Sequence, residues 1–280
     1  LHPFFAAPHR ILRALWHLLL LNTGLRSHGS FILPLSLSGG RWTFRRKDGK
    51  TWTRLGLRPG TSDFPTFFKV FLQEGYRLSH LAQWKGIQAE YDRLVVAKKV
   101  PLILDCGANI GLSALYFRTL FPEAALVAVE PETGNFELAG RNLQDERVLL
   151  LKGAVADRDG WVRIQDPKLG TDAFRVRKAS QRSPGAIKAY SIPRLLQIGR
   201  KFGPTVPFLI KIDIEGFERE LFASNTGWVA SFKVLAIELH DRCFPGTANS
   251  SNFLKVIAKA DRDLVQLGEN MLSIRNDEGA

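Results

Sequence analysis

The sequence predicts an α/β fold: a mostly parallel sheet with helices on both faces. Three observations predict it. Apolar runs of strand length alternate with helix-period segments from residue 102 onward, the pattern of strands joined by crossover helices. The run Leu102-Ile103-Leu104-Asp105-Cys106 passes through the turn Gly107-Ala108-Asn109-Ile110-Gly111 into the helical pattern Leu112 to Phe121, which reads as a strand, a tight turn and a helix N-terminus. With 280 residues, 45% of them hydrophobic, the chain has material for one sizeable α/β domain and an N-terminal extension.

Taken in order, the chain first offers a helix over Ile11 to Leu21, ended at Gly24. The stretch Ala14 to Leu21 is interrupted by His17 and preceded by Arg10 and Arg13, and no run of 18 or more apolar residues occurs, so a spanning helix is not expected. The chain begins at Leu1, not Met, and no clean small-residue cleavage site follows this segment. The helix is expected to pack on the main domain, with a peripheral membrane contact as the alternative, and a cytoplasmic location is expected. Strands at Trp42 to Arg46 and Thr51 to Gly56 flank Asp48-Gly49, a hairpin signal. Thr61, Ser62 and Asp63 are capping residues before the apolar-periodic Phe64 to Glu74, and a short helix is predicted over Tyr91 to Ala97. These pieces form an extension over residues 1–98, with the main domain over 99–280.

In the main domain the predicted order is strand 102–105, helix 111–121, strand 125–130, helix 133–143 and strand 148–152. Asp166 to Gly185, rich in glycine, proline, serine and basic residues, is expected to be a long loop or a hairpin over the sheet. Then come helix Pro193 to Arg200, strand Phe208 to Ile214, helix Glu218 to Ala223, strand Val234 to Leu239 and helix Ser251 to Ala260. A terminal hairpin pairs Leu264 to Leu267 with Met271 to Ile274.

Charge is unevenly spread: residues 1–100 hold 16 Lys and Arg against 5 Asp and Glu, and residues 101–280 hold 23 against 22. The basic hairpin, with Arg41, Arg45, Arg46, Lys47, Lys50 and Arg54, is either a solvated face or a weak contact for an anionic glycan, a phosphorylated carrier, a peripheral membrane surface or RNA. Nucleic acid is not the expected partner, since no aromatic RNA-binding motif accompanies the charge. Cys106 and Cys243 are the only cysteines; neither has metal-ligand spacing, and both are expected to be reduced thiols.

Gly107 and Gly111 let the backbone approach a ligand, and Glu130 at the next strand tip is placed to hold ribose hydroxyls. A dinucleotide enzyme uses the same corner with G-x-G-x-x-G. Here Asn109 replaces the middle glycine that a pyrophosphate needs, and Asp105 adds negative charge. S-adenosylmethionine, with its sulfonium, ammonium and single carboxylate, fits an acid-lined corner better than NAD. The NAD-dependent oxidoreductase and an RNA-modifying methyltransferase are the alternatives.

Lys211, Asp213 and Glu215 alternate with apolar residues, which puts them on one side of a strand near its C-terminal end. Three charges there are either in use or a structural ion network, because a strand buried on both faces should be apolar. Glu238 and His240 stand two apart at a second strand tip, with Asp241 as a possible orienting carboxylate. Asp213, Glu238 and His240 are therefore the catalytic candidates, supplying a base for a hydroxyl acceptor. The same three suit a divalent metal as an alternative, although no metal is the primary expectation.

Arg58-Pro59-Gly60-Thr61-Ser62-Asp63, Ala89-Glu90-Tyr91, the Asp105 to Gly111 turn, Val129-Glu130-Pro131 with Asn135 and Asn142, Gly153-Ala154-Val155 and the string Lys211 to Glu218 together resemble the FkbM family of methyltransferases. The glycine turn alone is common to a superfamily, whereas its combination with Lys211-Ile212-Asp213-Ile214-Glu215-Gly216-Phe217-Glu218 is sharper. The resemblance implies a Rossmann-like class I fold with a mostly parallel seven-stranded sheet. It also implies O-methylation of a sugar, glycan or polyketide-type hydroxyl. Positions Asp105, Gly107, Asn109, Gly111, Glu130, Asn135 and Asp213 would hold S-adenosylmethionine. Ser191-Ile192-Pro193-Arg194-Leu195, where the family often carries acids, and the basic stretch Asp166 to Arg182 depart from the pattern and leave the acceptor open.

Overall fold

A computed structural model describes residues 32–38, 41–48, 51–58, 60–73, 75–165, 175–181 and 183–276. The expected helix Ile11 to Leu21 lies outside the described residues. An antiparallel sheet of β1 (Ile32–Ser38), β2 (Arg41–Asp48) and β3 (Thr51–Leu57) opens the structure, so the predicted hairpin is present and gains a third strand. Helix α1 (Asp63–Phe67) runs into a π-helical turn, Phe68–Leu72, where Gln73 N bonds Phe68 O. The described part of Phe64 to Glu74, up to Gln73, is thus not one regular α-helix. Helix α2 (Trp84–Val96) starts earlier than predicted. Gly86 weakens the local helix signal, yet Ile87, Tyr91 and Leu94 bury one helical face.

The main sheet begins with β4 (Val100–Cys106), α3 (Leu112–Leu120), β5 (Ala125–Glu130), α4 (Thr133–Asn142) and β6 (Val148–Lys152). A small sheet follows, built from β7 (Ala154–Val155), β8 (Gly160–Gln165), β9 (Arg175–Ala179) and β10 (Ala186–Tyr190) in the order β7-β10-β8-β9. The expected loop or hairpin at Asp166 to Gly185 therefore contains β9, paired antiparallel with β8, while residues 166–174 and 182 lie outside the described residues. Strands β8 and β10 carry little sequence signal, each being only five or six residues long and beside glycine.

The chain continues through α5 (Ile192–Gly199), β11 (Thr205–Ile212), the short α6 (Glu218–Leu221), β12 (Val234–Glu238), α7 (Ser251–Ile257), β13 (Arg262–Leu267) and β14 (Asn270–Arg275). The seven-stranded sheet has the order β13-β14-β12-β11-β4-β5-β6. It is parallel except for β14, which runs antiparallel to β12 and β13.

Alternate residues of each strand feed two apolar layers, as the two-residue strand period requires. Ile103, Leu126, Leu209 and Val234 pack with α2, α3, α4 and the residues Leu55 to Phe71. Leu104, Val127, Ile210 and Leu235 pack with α5, Phe222, Trp228 and α7. Residues from Leu55 to Leu94 thus share a core with the sheet. The chain builds β4, β5 and β6 in one direction and then returns to place β11 on the other side of β4. Ligands of open α/β sheets bind beyond the strand ends at such a reversal.

Candidate functional site

At the reversal, Lys211 and Asp105 are register partners on β11 and β4. Both are buried. Lys211 Nζ lies 3.3 Å from Asp105 Oδ1 and 3.4 Å from Asp213 Oδ2, and donates to Gly107 O at 2.5 Å. Burial opposes the charge of Lys211, but Asp105 and Asp213 overcome it and hold the ammonium protonated. The second oxygen of Asp105 accepts from Ser113 Oγ at 2.6 Å. Asp105 therefore stands behind the cavity wall and acts on the turn through Lys211 and Ser113.

The turn itself needs its glycines. Gly107 has φ +85°, and a Cβ there would lie 1.8 Å from Asp213 O. Gly111 has φ +86° and precedes α3; a Cβ there would lie 2.9 Å from the Leu143 side chain. Asn109, also at positive φ, donates its backbone N–H to Glu130 Oε2 at 2.8 Å. Glu130 Oε1 accepts from Glu132 N at 3.0 Å. Burial pushes the Glu130 carboxyl up to about 7, against the opposing pull of these amides and of Asn135.

Two expectations about strand geometry change. β11 ends at Ile212, so Asp213 and Glu215 leave the sheet; Glu215 and Gly216 have φ +54° and +95°. Asp213 stays at the strand end because its N–H donates to Cys106 O at 2.9 Å. β12 likewise ends at Glu238. His240 still turns inward, with Nε2 3.6 Å from Asp213 Oδ1, 3.5 Å from Glu215 Oε2 and 3.9 Å from Glu238 Oε1. The carboxylate that orients it is Glu218, 3.0 Å from Nδ1, and not Asp241, which accepts from Ser250 N. Burial alone would lower the His240 pKa, but the Glu218 hydrogen bond and the charges of Asp213, Glu218 and Glu215 push it up to about 10. Burial would raise Asp213, yet Lys211 and His240 hold it below the usual carboxylate range. Burial and Asp213 raise Glu238.

A cavity of about 450 Å³ connects these groups. Gly107, Asn109, Glu130, Asn135, Asp213, Glu238 and His240 line it; Asp105 and Gly111 are not among its lining residues. Several contributors either stand in the sequence only as parts of motifs, without a contact assigned, or go unmarked. Arg58 bonds Asp63 and reaches Asn135 Oδ1 at 2.6 Å, tying the segment after β3 to α4. Asn142 accepts from Gly56 N and donates to Ile110 O. Lys69, on the π-helical turn, pairs with Glu238 at 3.1 Å and with Glu269, and Arg242 pairs with the same two acids. Arg58, Asp63 and Asn142 belong to motifs singled out in the sequence, whereas Lys69, Arg242 and Glu269 leave no local signal. Cys106 is buried, Cys243 is exposed, and both are free.

The strand order and the glycine corner at the reversal define the Rossmann-like class I methyltransferases, whose methyl donor is S-adenosylmethionine. Within that class the chain belongs to the FkbM family: the family model described as "Methyltransferase FkbM domain" matches residues 105–259. A curated relative, methyltransferase sdnD of Sordaria araneosa, is 28% identical over 152 residues, 43% of this chain. The chain spans 59% of that relative's length. Among solved structures, the SAH-bound methyltransferase PaMTH1 of Podospora anserina aligns at 15% identity over 71% of this chain and 80% of its own, with a TM-score of 0.36. A methyltransferase from Geobacter sulfurreducens aligns at 15% identity over 68% and 79%, with a TM-score of 0.31. These likenesses are loose, and the fold assignment rests on the strand order and the family match. Among the described residues, no helix is long and apolar enough to cross a membrane.

Proposed function

We propose that the protein is an S-adenosylmethionine-dependent O-methyltransferase acting on a hydroxyl of a small-molecule acceptor: a sugar, a glycan or a secondary metabolite. The observation that carries this reading is the continuous cavity that joins the glycine turn and Glu130 to Asp213, Glu238 and His240. Its volume lies in the range of small-molecule sites, about 300–1,000 Å³.

The residues fit the donor. Asn109 Oδ1 and Asp213 Oδ1 are buried acceptors without a hydrogen-bond donor from the protein, and such acceptors suit an ammonium or a hydroxyl. Glu130 would hold the ribose, the turn at Gly107 to Gly111 would pack the methionine portion with its amine toward Asn109 Oδ1, and Asp213 would stand between donor and acceptor. Lys211 has its charge neutralised by Asp105 and Asp213, so it does not offer a diphosphate a free cation. When bound, S-adenosylmethionine supplies an electrophilic methyl group on sulfur.

The chain's own work is alignment and proton removal. Asp213, Glu238 and His240 converge where an acceptor hydroxyl would meet the donor end of the cavity; a carboxylate oxygen of Asp213 or Glu238 would take its proton, while the protonated His240 ring would stabilise the developing oxyanion. Glu218 fixes the ring of His240, and Lys69 and Arg242 fix Glu238. Calorimetric titration with S-adenosylhomocysteine, followed by a screen of hydroxylated acceptors with labelled methyl donor, tests the reading. Tight NAD binding without S-adenosylhomocysteine binding would overturn it. The variant His240→Ala is expected to cut turnover while leaving cofactor affinity unchanged; turnover at the wild-type level would make His240 structural.

A further inference from the structure

We infer that Asp213, Glu238 and His240 form a divalent-cation site on the acceptor side of the cavity. Each offers a ligand atom, and these atoms all lie within 4.8 Å of one another. His240 Nε2 stands 3.6 Å from Asp213 Oδ1 and 3.9 Å from Glu238 Oε1. That is long for hydrogen bonds, but donors bound at about 2.0–2.2 Å to one ion are held at about 3–4 Å from each other.

Two further observations are independent of this clustering. Asp213 Oδ1 is a buried acceptor to which the protein supplies no hydrogen bond, and it points toward His240 Nε2. His240, only 4% exposed in its side chain, has Nδ1 bonded to Glu218, which leaves Nε2 facing the acids. A histidine whose one nitrogen is held by a carboxylate while the other faces the centre is the usual arrangement around a bound metal. Glu238 is positioned in the same sense: Lys69 takes Oε2 and Arg242 takes one lone pair of Oε1, which leaves that oxygen a second.

Among the described residues, Asp105, Asp213, Glu238 and Glu269 pair with Lys69, Lys211 and Arg242, while Glu215 and Glu218 face His240; a cation bound at His240 Nε2 would displace the proton from that nitrogen. Two carboxylates and an imidazole, without thiolate, suit Mg²⁺, Mn²⁺ and similar first-row divalent ions. A cation there would lower the pKa of an acceptor hydroxyl bound to it. That role rests on the methyltransferase reading, whereas the existence of the site does not.

The test is calorimetry of the full chain with Mn²⁺ alone and with S-adenosylhomocysteine alone, with the electron paramagnetic resonance spectrum of Mn²⁺ as a second readout. Wild type is expected to bind Mn²⁺ at one saturable site. His240→Ala and Glu238→Gln should weaken it about tenfold or more, and Glu218→Gln, which removes only the partner of His240, should weaken it about 10–100-fold. Retained S-adenosylhomocysteine binding shows that each variant folds, and Glu218→Gln serves if the others do not. Absence of Mn²⁺ binding in wild type, or equal binding in all folded variants, overturns the cation site. S-adenosylhomocysteine binding without Mn²⁺ binding would sink the site and spare the methyltransferase reading. The reverse result would do the opposite.

Discussion

The two ends of the cavity are built differently. The end proposed to hold the donor comes mostly from one β4–α3–β5 unit: Asp105 to Gly111 form the end of β4 and the turn into α3, Glu130 is the tip of β5, and backbone geometry and buried hydrogen bonds fix them. The end proposed to face the acceptor gathers Lys69, Asp213, Glu269 and the stretch Glu238 to Arg242 from four segments, and Lys69, Arg242 and Glu269 are partly or largely exposed. A backbone-built corner tolerates little change and serves one ligand, whereas a side-chain-built wall can be altered residue by residue. The second is where acceptor preference can diverge among proteins that share the first.

The largest expected effect tests the rigidity of the donor end. Lys211→Met leaves Asp105 buried without its cation, and breaking a buried pair this way costs about 3–5 kcal/mol. Urea denaturation should show the loss; a stability within about 1 kcal/mol of wild type, roughly the scatter of a surface change, would mean that the pair does not hold the corner. Next, Glu130→Ala should weaken S-adenosylhomocysteine binding by about 1.5–3 kcal/mol, the worth of hydrogen bonds to a charged acceptor. Unchanged affinity would remove Glu130 from the site.

The raised pKa of Glu130, about 7, adds a pH dependence of definite sign. Ribose hydroxyls donating to Glu130 favour its ionised form, so binding releases a proton. Affinity should rise from about pH 6 to about pH 8 and then level off. Glu130→Gln should flatten that rise, and calorimetry across the range reads it. The smallest effect belongs to the acceptor end. Arg242 is 60% exposed in its side chain, and Arg242→Ala should cost less than about 1 kcal/mol of stability in a thermal melt. A loss several times larger would show that this wall is as rigid as its opposite.

The same contrast decides what is legible in the sequence. The strands at 125–130 and 148–152 match residue for residue, since apolar runs closed by one charged residue, Glu130 or Lys152, and bounded by turn residues carry their own signal. The glycine turn and Glu130 are visible because they lie on one continuous stretch. Lys211 and Asp105 can each be singled out, but their contact depends on strand order, which no local pattern encodes. Glu218 stands in the sequence only as the end of a motif, with nothing local to mark it as the partner of His240. Adjacency suggests Asp241 for that part; the fold beyond β12 turns Asp241 toward Ser250 instead. Lys69 is hidden because its π-helical turn breaks the helical period that would show which way it faces.

The pairing of Asp105 with Lys211 also governs how the two central strands can align. Sliding β11 by one residue against β4 would turn every β11 side chain to the opposite layer, burying an ammonium among the aliphatic neighbours of Ile210 and leaving a carboxylate stranded. The observed alignment satisfies both charges and the one-residue slip satisfies neither, and the pair sits in the seam where the two halves of the sheet, built in opposite directions, are joined.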